Sequence, residues 1–403
     1  MIDYSLEAFD YNLPEEKIAY FPVHPKDAAR LLIYRNGLCE HGFHYRDLPK
    51  VLKTCFSPNL PLLVFNNSKV FKARLIFETK DNKQIEIFLL RPASGDFFSS
   101  LNAGSPSEWE TLIRRPSRWK KELVLQRREG QVLITAERSG GLVKLNWNPA
   151  DISLLEILDR IGEVPLPPYI KRKASVSDVK DYQTSYAEKE GSVAAPTAGL
   201  HFTAELMKNL ADVGININYV TLHVGDGTFA PVRETEDIRK HRMHAEYFSV
   251  PLSTLEKLSQ WDGPIIPVGT TSLRTLESLY WLGLEINDKG KLPEMLEQCM
   301  PYNSSNADSK VSYKEAVSIV LSYVKKMGWL QLTGQTSLYI VPGYKIRSSD
   351  GIITNFHQPR STLLMLIYAF TGADWRKIYE EALSNDYRFL SYGDGMMIIN
   401  PRI

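Results

Sequence analysis

Apolar and polar positions follow two different rhythms along this chain. Residues 60–65 form a continuous apolar run, the pattern of a strand buried on both faces, and it ends at the polar turn Asn66-Asn67-Ser68-Lys69. Between about 74 and 148 the pattern shortens to alternating runs at 85–90, 122–125, 131–136 and 142–147, punctuated by Gly, Ser and Pro. Period-two alternation with regular turns predicts a small all-β module, a barrel or a sandwich, inserted into a larger domain. Elsewhere strands alternate with helices, the strands being predicted at 215–224, 264–268 and 351–354. The second of these runs into Gly269-Thr270-Thr271-Ser272 and a helix with Leu273, Leu276, Leu279, Tyr280 and Leu282 on one face. The third leads through Asn355-Phe356-His357-Gln358-Pro359 to a helix over about 361–370. Thr203 and Gly214 bracket another helix, and Ser312-x-x-Glu315 is a capping box opening a helix that stops near Gly328. The alternation predicts an α/β fold, in which ligands bind beyond the carboxyl ends of the strands.

Composition narrows this picture. At 403 residues the chain exceeds what one small core fills, so two domains are expected. With 43% hydrophobic and 24% charged residues it reads as an ordinary globular protein. A net charge of +1 supplies no global field for nucleic acid, so any RNA contact must use local basic patches. Cys39, Cys55 and Cys299 are far apart and match no CxxC spacing, which argues against a disulfide framework or a cysteine zinc site and fits a reducing compartment. The first seven residues lack the apolar core of a signal peptide, and the apolar run at 363–370 is too short to span a bilayer. A cytoplasmic location is expected.

The chemistry concentrates in two segments, 194–202 and 221–229. Small residues and glycines let backbone approach a ligand closely. Each segment also carries one histidine, His201 and His223, the side chain that titrates nearest neutral pH. His357 sits at a comparable junction. Any one of them reads equally as a structural histidine, but three at strand ends point to a functional site. Thr270, Thr271 and Ser272 act as a helix cap, or offer hydroxyls and N–H groups to a carboxylate or phosphate. Gly225-x-Gly227-x-x-Ala230 matches the dinucleotide fingerprint in letters only, because Pro231 follows where a helix should open. His41-x-x-His44 and His241-x-x-His244 lack the further ligands zinc requires, and no metal is expected. Arg114, Arg115, Arg118 and Lys120, interleaved with Trp119, suit phosphate contact and base stacking, or form a solvated face. Lys171 and Arg172 make a smaller patch.

Ordered motifs then run almost end to end. They include Leu13-Pro14-Glu15-Glu16-Lys17, Phe65-Asn66-Asn67-Ser68 with Arg74, Pro165-Leu166-Pro167-Pro168-Tyr169 and Tyr182-Gln183-Thr184-x-Tyr186. They continue through 193–202, 220–229 with Arg233, Gly269-Thr270-Thr271-Ser272, Thr354-Asn355-Phe356-His357-x-Pro359 and Ser391-Tyr392-Gly393-Asp394. In these residues the chain closely resembles the S-adenosylmethionine:tRNA ribosyltransferase-isomerases of the queuosine pathway. Within 74–148 the match is weak, so the basic cluster is not carried over as a family site. The segment from about 284 to 335 is longer than the family pattern and is expected to be an added lobe.

The resemblance implies a larger three-layer α/β catalytic domain, residues 1–73 and 149–403, with a β-barrel domain, 74–148, inserted in it. It implies transfer and isomerisation of the ribosyl moiety of S-adenosylmethionine onto the 7-aminomethyl-7-deazaguanine at the wobble position of tRNA. The products are epoxyqueuosine-tRNA, adenine and methionine. S-adenosylmethionine is the co-substrate, tRNA the partner, and the enzyme is expected to be a monomer with no membrane attachment.

The sulfonium acidifies the C5′ protons, so a neutral imidazole serves as base, and adenine departs with help from a hydrogen bond or proton. His201 and His223 are the expected bases, with His357 positioning or protonating and Tyr392 and Asp394 serving the adenine or the amine. Asn66, Asn67, Arg74 and Arg233 are expected to anchor polar groups, and Thr197, Gly199, Gly225, Thr228 and Asn355 to line the substrate. Thr270, Thr271 and Ser272 take the methionine carboxylate or the ribose hydroxyls. The alternatives are another S-adenosylmethionine-dependent RNA-modifying enzyme and a non-catalytic tRNA-binding relative.

Overall fold

The computed structural model describes residues 2–79, 81–120, 123–225, 237–303 and 309–400. From the N-terminus, β1 (Arg30–Arg35) and β2 (Leu38–His44) form a hairpin, and α1 (Leu48–Phe56) leads to β3 (Leu62–Asn66) and β4 (Ser68–Val70). A run of strands follows: β5 (Arg74–Glu78), β6 (Gln84–Pro92), β7 (Ser107–Arg114), β8 (Leu125–Glu129), β9 (Val132–Ser139) and β10 (Leu142–Asn148), with α2 (Phe97–Asn102) between β6 and β7. Next come α3 (Leu154–Ile161), α4 (Asp178–Asp181), β11 (Lys189–Ser192), α5 (Ala204–Asp212), β12 (Asn216–Leu222), β13 (Glu246–Pro251), α6 (Leu252–Gln260) and β14 (Ile265–Val268). The last third holds α7 (Thr270–Lys289), α8 (Tyr313–Lys326), β15 (Gln331–Thr336), β16 (Gly351–Asn355), α9 (Thr362–Thr371), α10 (Trp375–Ser384) and β17 (Gly395–Ile399).

Among the described residues, nine strands form one sheet in the order β15-β13-β12-β3-β14-β16-β17-β1-β2. The central strands β12, β3, β14 and β16 are parallel, and β17 returns antiparallel to β16. A parallel sheet covered on both faces needs apolar side chains on both. Alternation supplies them. Leu62 and Val64 of β3 face one core with Ile265, Ile352 and Ile398, while Leu63 and Phe65 face the other with Ile266, Ile353 and Met397. Helices α7, α9 and α10 cover the first face through Leu273, Leu276, Leu364 and Ile378, and α1 and α5 cover the second through Leu48, Leu52, Leu206 and Leu210. Each fully buried Leu or Ile of this kind contributes roughly 1.5–3 kcal/mol. Because the four central strands run the same way, their carboxyl ends at Asn66, Leu222, Val268 and Asn355 share one edge. Strand β17 begins there too, Gly395 lying opposite Asn355.

Of the barrel and the sandwich that the alternation allows, strands β5 to β10 form the closed barrel, ordered β10-β7-β6-β5-β8-β9. Leu75, Phe77, Ile85, Ile87, Trp109, Ile134, Val143 and Leu145 fill its interior. The strand expected at 122–125 instead runs from Leu125 to Glu129, and β7 was not expected. Strand β8 is polar apart from Leu125, and the apolar residues of β7, Trp109, Leu112 and Ile113, do not alternate, so neither carries a period-two pattern to read.

The described part of the segment 284–335 gives one helix to the main core and one strand to the edge of the main sheet. Helix α8 sinks Ala316, Val317, Val320 and Val324 into the core that α7 also lines, and β15 pairs with β13 at the sheet edge. The amphipathic stripe predicts the helix; only packing decides what covers it. Among the described residues no helix is long and apolar enough to cross a membrane.

Candidate active site

The carboxyl edge of the parallel strands is crossed by residues 193–202, and Asn355 at the end of β16 ties the two together. Asn355 Oδ1 accepts a hydrogen bond from Thr197 Oγ1 at 2.9 Å, and its Nδ2 lies 3.2 Å from His201 Nε2. With the amide donating, Nε2 is the acceptor and the ring proton sits on Nδ1. The Lys26 backbone raises the pKa of the ring a little, against the larger effect of burial. Tyr45 packs against the imidazole with ring centroids 4.3 Å apart. Burial pushes the His201 pKa down to about 3, and the ring is neutral.

Two recesses open at this edge, each of about 30 Å³, room for a water molecule. One is bounded by Tyr169, Thr197, Asn355, His357 and Ser391, the other by Pro196, Thr197, Gly269, Thr270, Thr271 and His357. Thr197, His357 and Leu363 are common to both. His357 Nε2 meets Thr354 Oγ1 at 3.1 Å, and among the described residues Nδ1 has no hydrogen-bond partner. The His357 backbone is fixed on both sides: its N–H donates to Tyr379 at 3.0 Å and its carbonyl accepts from Tyr11. Burial pushes this imidazole down to about 3 as well.

The floor of the second recess is the start of α7. Gly269 precedes it at φ 88°, ψ 154°, a conformation essentially reserved for glycine, and brings no capping side chain to the first-turn N–H groups. Thr271 Oγ1 is buried there without a hydrogen-bond partner among the described residues. Ser272 turns away and donates to the Val268 carbonyl at 2.8 Å.

The sequence has known relatives. A family model described as queuosine biosynthesis protein matches residues 6–398. The chain belongs to the queuosine biosynthesis protein family. It is an enzyme of that pathway, a ribosyltransferase-isomerase. An S-adenosylmethionine:tRNA ribosyltransferase-isomerase of Sulfurihydrogenibium sp. is 38% identical over 98% of this chain and 99% of its own length. One from Thermosynechococcus vestitus is 36% identical over 98% and 96%. A solved S-adenosylmethionine tRNA ribosyltransferase of Thermotoga maritima is 28% identical, covering 97% of this chain and all of that one, with a TM-score of 0.46.

Within this family member the expected site residues divide into three groups. Thr197, His201, Thr270, Thr271, Asn355 and His357 come together at the edge. A second group is spent on architecture. Asn66 closes β3 onto β12, donating to the Leu222 carbonyl and accepting from the N–H groups of Leu222 and Ser68, and Asn67 joins Thr221 to Glu188. Asp394 accepts the backbone N–H groups of Arg30 and Arg388, each at 2.8 Å, which uses its two oxygens to hold the turn before β17. Tyr392 donates to Asp178, whose carboxylate also takes both arms of Arg172 at 2.7 Å. Arg172 is therefore a partly buried strut held by Asp178, whereas Lys171 is exposed and pairs with Glu15. Arg74 is paired with Glu86 and Glu163. Gly199 is small because the Tyr186 hydroxyl occupies the space a side chain would need.

The third group lies elsewhere. His223 stacks on Phe97 of α2 with centroids 5.4 Å apart, and burial pushes it down to about 4. Alternation explains the separation: Val224 faces the second recess, so its neighbour His223 faces away from it. Gly225 is partly exposed, and Thr228 and Arg233 lie outside the described residues. Arg114, Arg115, Arg118 and Lys120 are exposed on the barrel. Trp119 is not available for stacking on a base. It is 1% exposed, its Nε1–H donating to the Leu123 carbonyl. Sequence reasoning missed Thr354 and Tyr169 at the recesses, although both stand in the quoted motifs; neither residue type advertises a role without its neighbours.

Proposed function

We propose that this chain transfers and isomerises the ribosyl moiety of S-adenosylmethionine onto the 7-aminomethyl-7-deazaguanine at the wobble position of tRNA. It releases adenine and methionine and leaves epoxyqueuosine. The observation that carries this reading is the pair of recesses sharing His357 and Thr197 at the carboxyl edge, in a chain whose relatives bear the name of that activity. His357 is the base toward C5′: Nε2–H donates to Thr354, which leaves the Nδ1 lone pair to take the proton. Its burial keeps it neutral, and the adjacent sulfonium lowers the demand on so weak a base. His201 is a positioning residue that orients Asn355, whose second Nδ2–H is left for the adenine or ribose. Both recesses must open into one another to admit a nucleoside, and Thr197, His357 and Leu363 are the residues between them. The chemistry as written needs no metal. Residues 1–73 and 149–403 act as the catalytic domain and 74–148 as an inserted barrel domain that contacts tRNA through Arg114, Arg115, Arg118 and Lys120. The protein works as a cytoplasmic monomer.

Single-turnover adenine release tests this. Wild type should release adenine from S-adenosylmethionine only with tRNA bearing the aminomethyl base, and label in the S-methyl group should leave with methionine. A methyl label transferred to RNA would point instead to a methyltransferase. His357→Ala should lower the rate by about 10²–10⁴-fold. A variant as fast as wild type would remove His357 from the role of base.

A further inference from the structure

Arg274 stands on the first turns of α7, three residues after Thr271 and four after Thr270, so all three share a face of the helix. Helical side chains lean toward the N-terminus, so Arg274 leans toward that first turn, although it bounds neither recess. Its partners locate it further. Nε donates to the Leu338 carbonyl at 3.2 Å and Nη1 is paired with Glu246. Glu246 opens β13 opposite Thr336, the last residue of β15, and β13 runs antiparallel to β12. Both partners therefore lie at the same edge of the sheet as the recesses. The side chain is only 6% exposed, yet among the described residues Nη2 has no hydrogen-bond partner. Thr271 Oγ1, which lines the second recess, is also buried and unpartnered. Two unmet donors on one turn are expensive to maintain, because each leaves its desolvation unrecovered. Glu246 neutralises the guanidinium, so the residual positive potential is that of the uncapped helix N-terminus.

We propose that Arg274 Nη2, Thr271 Oγ1 and the first N–H groups of α7 form a subsite for a carboxylate, that of the amino-acid arm of S-adenosylmethionine. The inference rests on the function proposed above. It deepens that reading by adding Arg274 and by committing the α7 terminus to the carboxylate and not to the ribose hydroxyls or a tRNA phosphate. The arm is short, so a carboxylate held at Thr271 brings the sulfonium and C5′ toward His357, which bounds the same recess.

The test removes the carboxylate and its receptors separately and together. Michaelis constants are measured by adenine release for S-adenosylmethionine and its decarboxylated analogue, with wild type, Thr271→Val and the double variant Glu246→Gln/Arg274→Met. Wild type should bind the analogue about tenfold or more weakly. Thr271→Val should raise KM for S-adenosylmethionine severalfold with kcat little changed, while its Tm stays level or rises because an unmet buried hydroxyl is gone. Both variants should lose discrimination against the analogue. Additive penalties, an unchanged KM in Thr271→Val, or a raised KM for tRNA in place of S-adenosylmethionine would overturn the subsite. Should the double variant fail to fold, Thr271→Val carries the test alone. A wild type that releases no adenine at all fails the functional reading instead. The subsite is then decided by whether S-adenosylmethionine raises Tm more than its decarboxylated analogue does, in wild type but not in Thr271→Val.

Discussion

His201 and His357 are buried in this protein and His223 is partly buried, and burial lowers all three, but their hydrogen bonds separate their uses. His201 is tied through Nε2 to Asn355, His357 is open at Nδ1 among the described residues, and His223 leaves Nδ1 buried against Phe97 of α2. The shifts have a consequence for stability. His201 and His357 fall from 6.5 to about 3 on folding, so below pH 6.5 the unfolded chain takes up protons that the folded chain refuses. Stability is then complete above pH 6.5 and falls steadily as pH drops toward 3. At pH 5 each imidazole costs about 2 kcal/mol. Urea midpoints at pH 7 and pH 5 measure this: the loss should be smaller in His357→Gln than in wild type, and equal losses would refute the assignment. The same shift means that protonation of His357 puts no acid limb near pH 6.5 in the rate profile.

At the scale of elements, α7 does the most to join fold and chemistry. Its body is core, with Leu273, Leu276 and Leu279 fully buried, and its N-terminus is left uncapped at the recess. The two glycines at its ends have different burdens. Gly269 occupies φ 88°, ψ 154°, whereas Gly290 at φ 68°, ψ 7° is an ordinary left-handed helix stop. Gly269→Ala should therefore lose about 1–3 kcal/mol by chemical denaturation and also raise KM for S-adenosylmethionine, since the first turn must shift. Gly290→Ala should lose about 1 kcal/mol and leave KM alone. Equal effects on KM would mean that the α7 terminus does not meet the co-substrate.

For the whole molecule, the net charge of +1 makes local placement of cations decisive. Arg114, Arg115, Arg118 and Lys120 are exposed on the barrel, while Arg172 and Arg74 are held by carboxylates. Replacing Arg114, Arg115 and Arg118 together by Ala should weaken tRNA binding and flatten its dependence on log salt, by about one for each phosphate no longer neutralised. Trp119→Ala should instead destabilise the barrel by about 3–5 kcal/mol, because the indole is core. Unchanged tRNA affinity in the triple variant would remove this face from the substrate path.

Much of the architecture is legible without coordinates. The apolar run ending at Asn66, the capping box at Ser312, the Thr203 cap and the strand-to-helix junctions at Gly269 and Asn355 are local signals, and each lies where the chain pattern puts it. Ordered motifs gave the family. Strands β7 and β8 are harder to read, because β8 is polar apart from Leu125 and the apolar residues of β7 do not alternate. The site was legible only as a neighbourhood. Sequence marked Asn66, Asp394, Tyr392, Arg172 and His357 as alike, since residue type and spacing say nothing about which partners a polar side chain meets. Tertiary structure sorted them, because a buried polar group is committed by its hydrogen bonds: those of Asn66 and Asp394 go to backbone, those of Tyr392 and Arg172 to Asp178, and Nδ1 of His357 is left open at the recesses. Sequence determined which strands end in chemistry; the common direction of four strands decided that they end together.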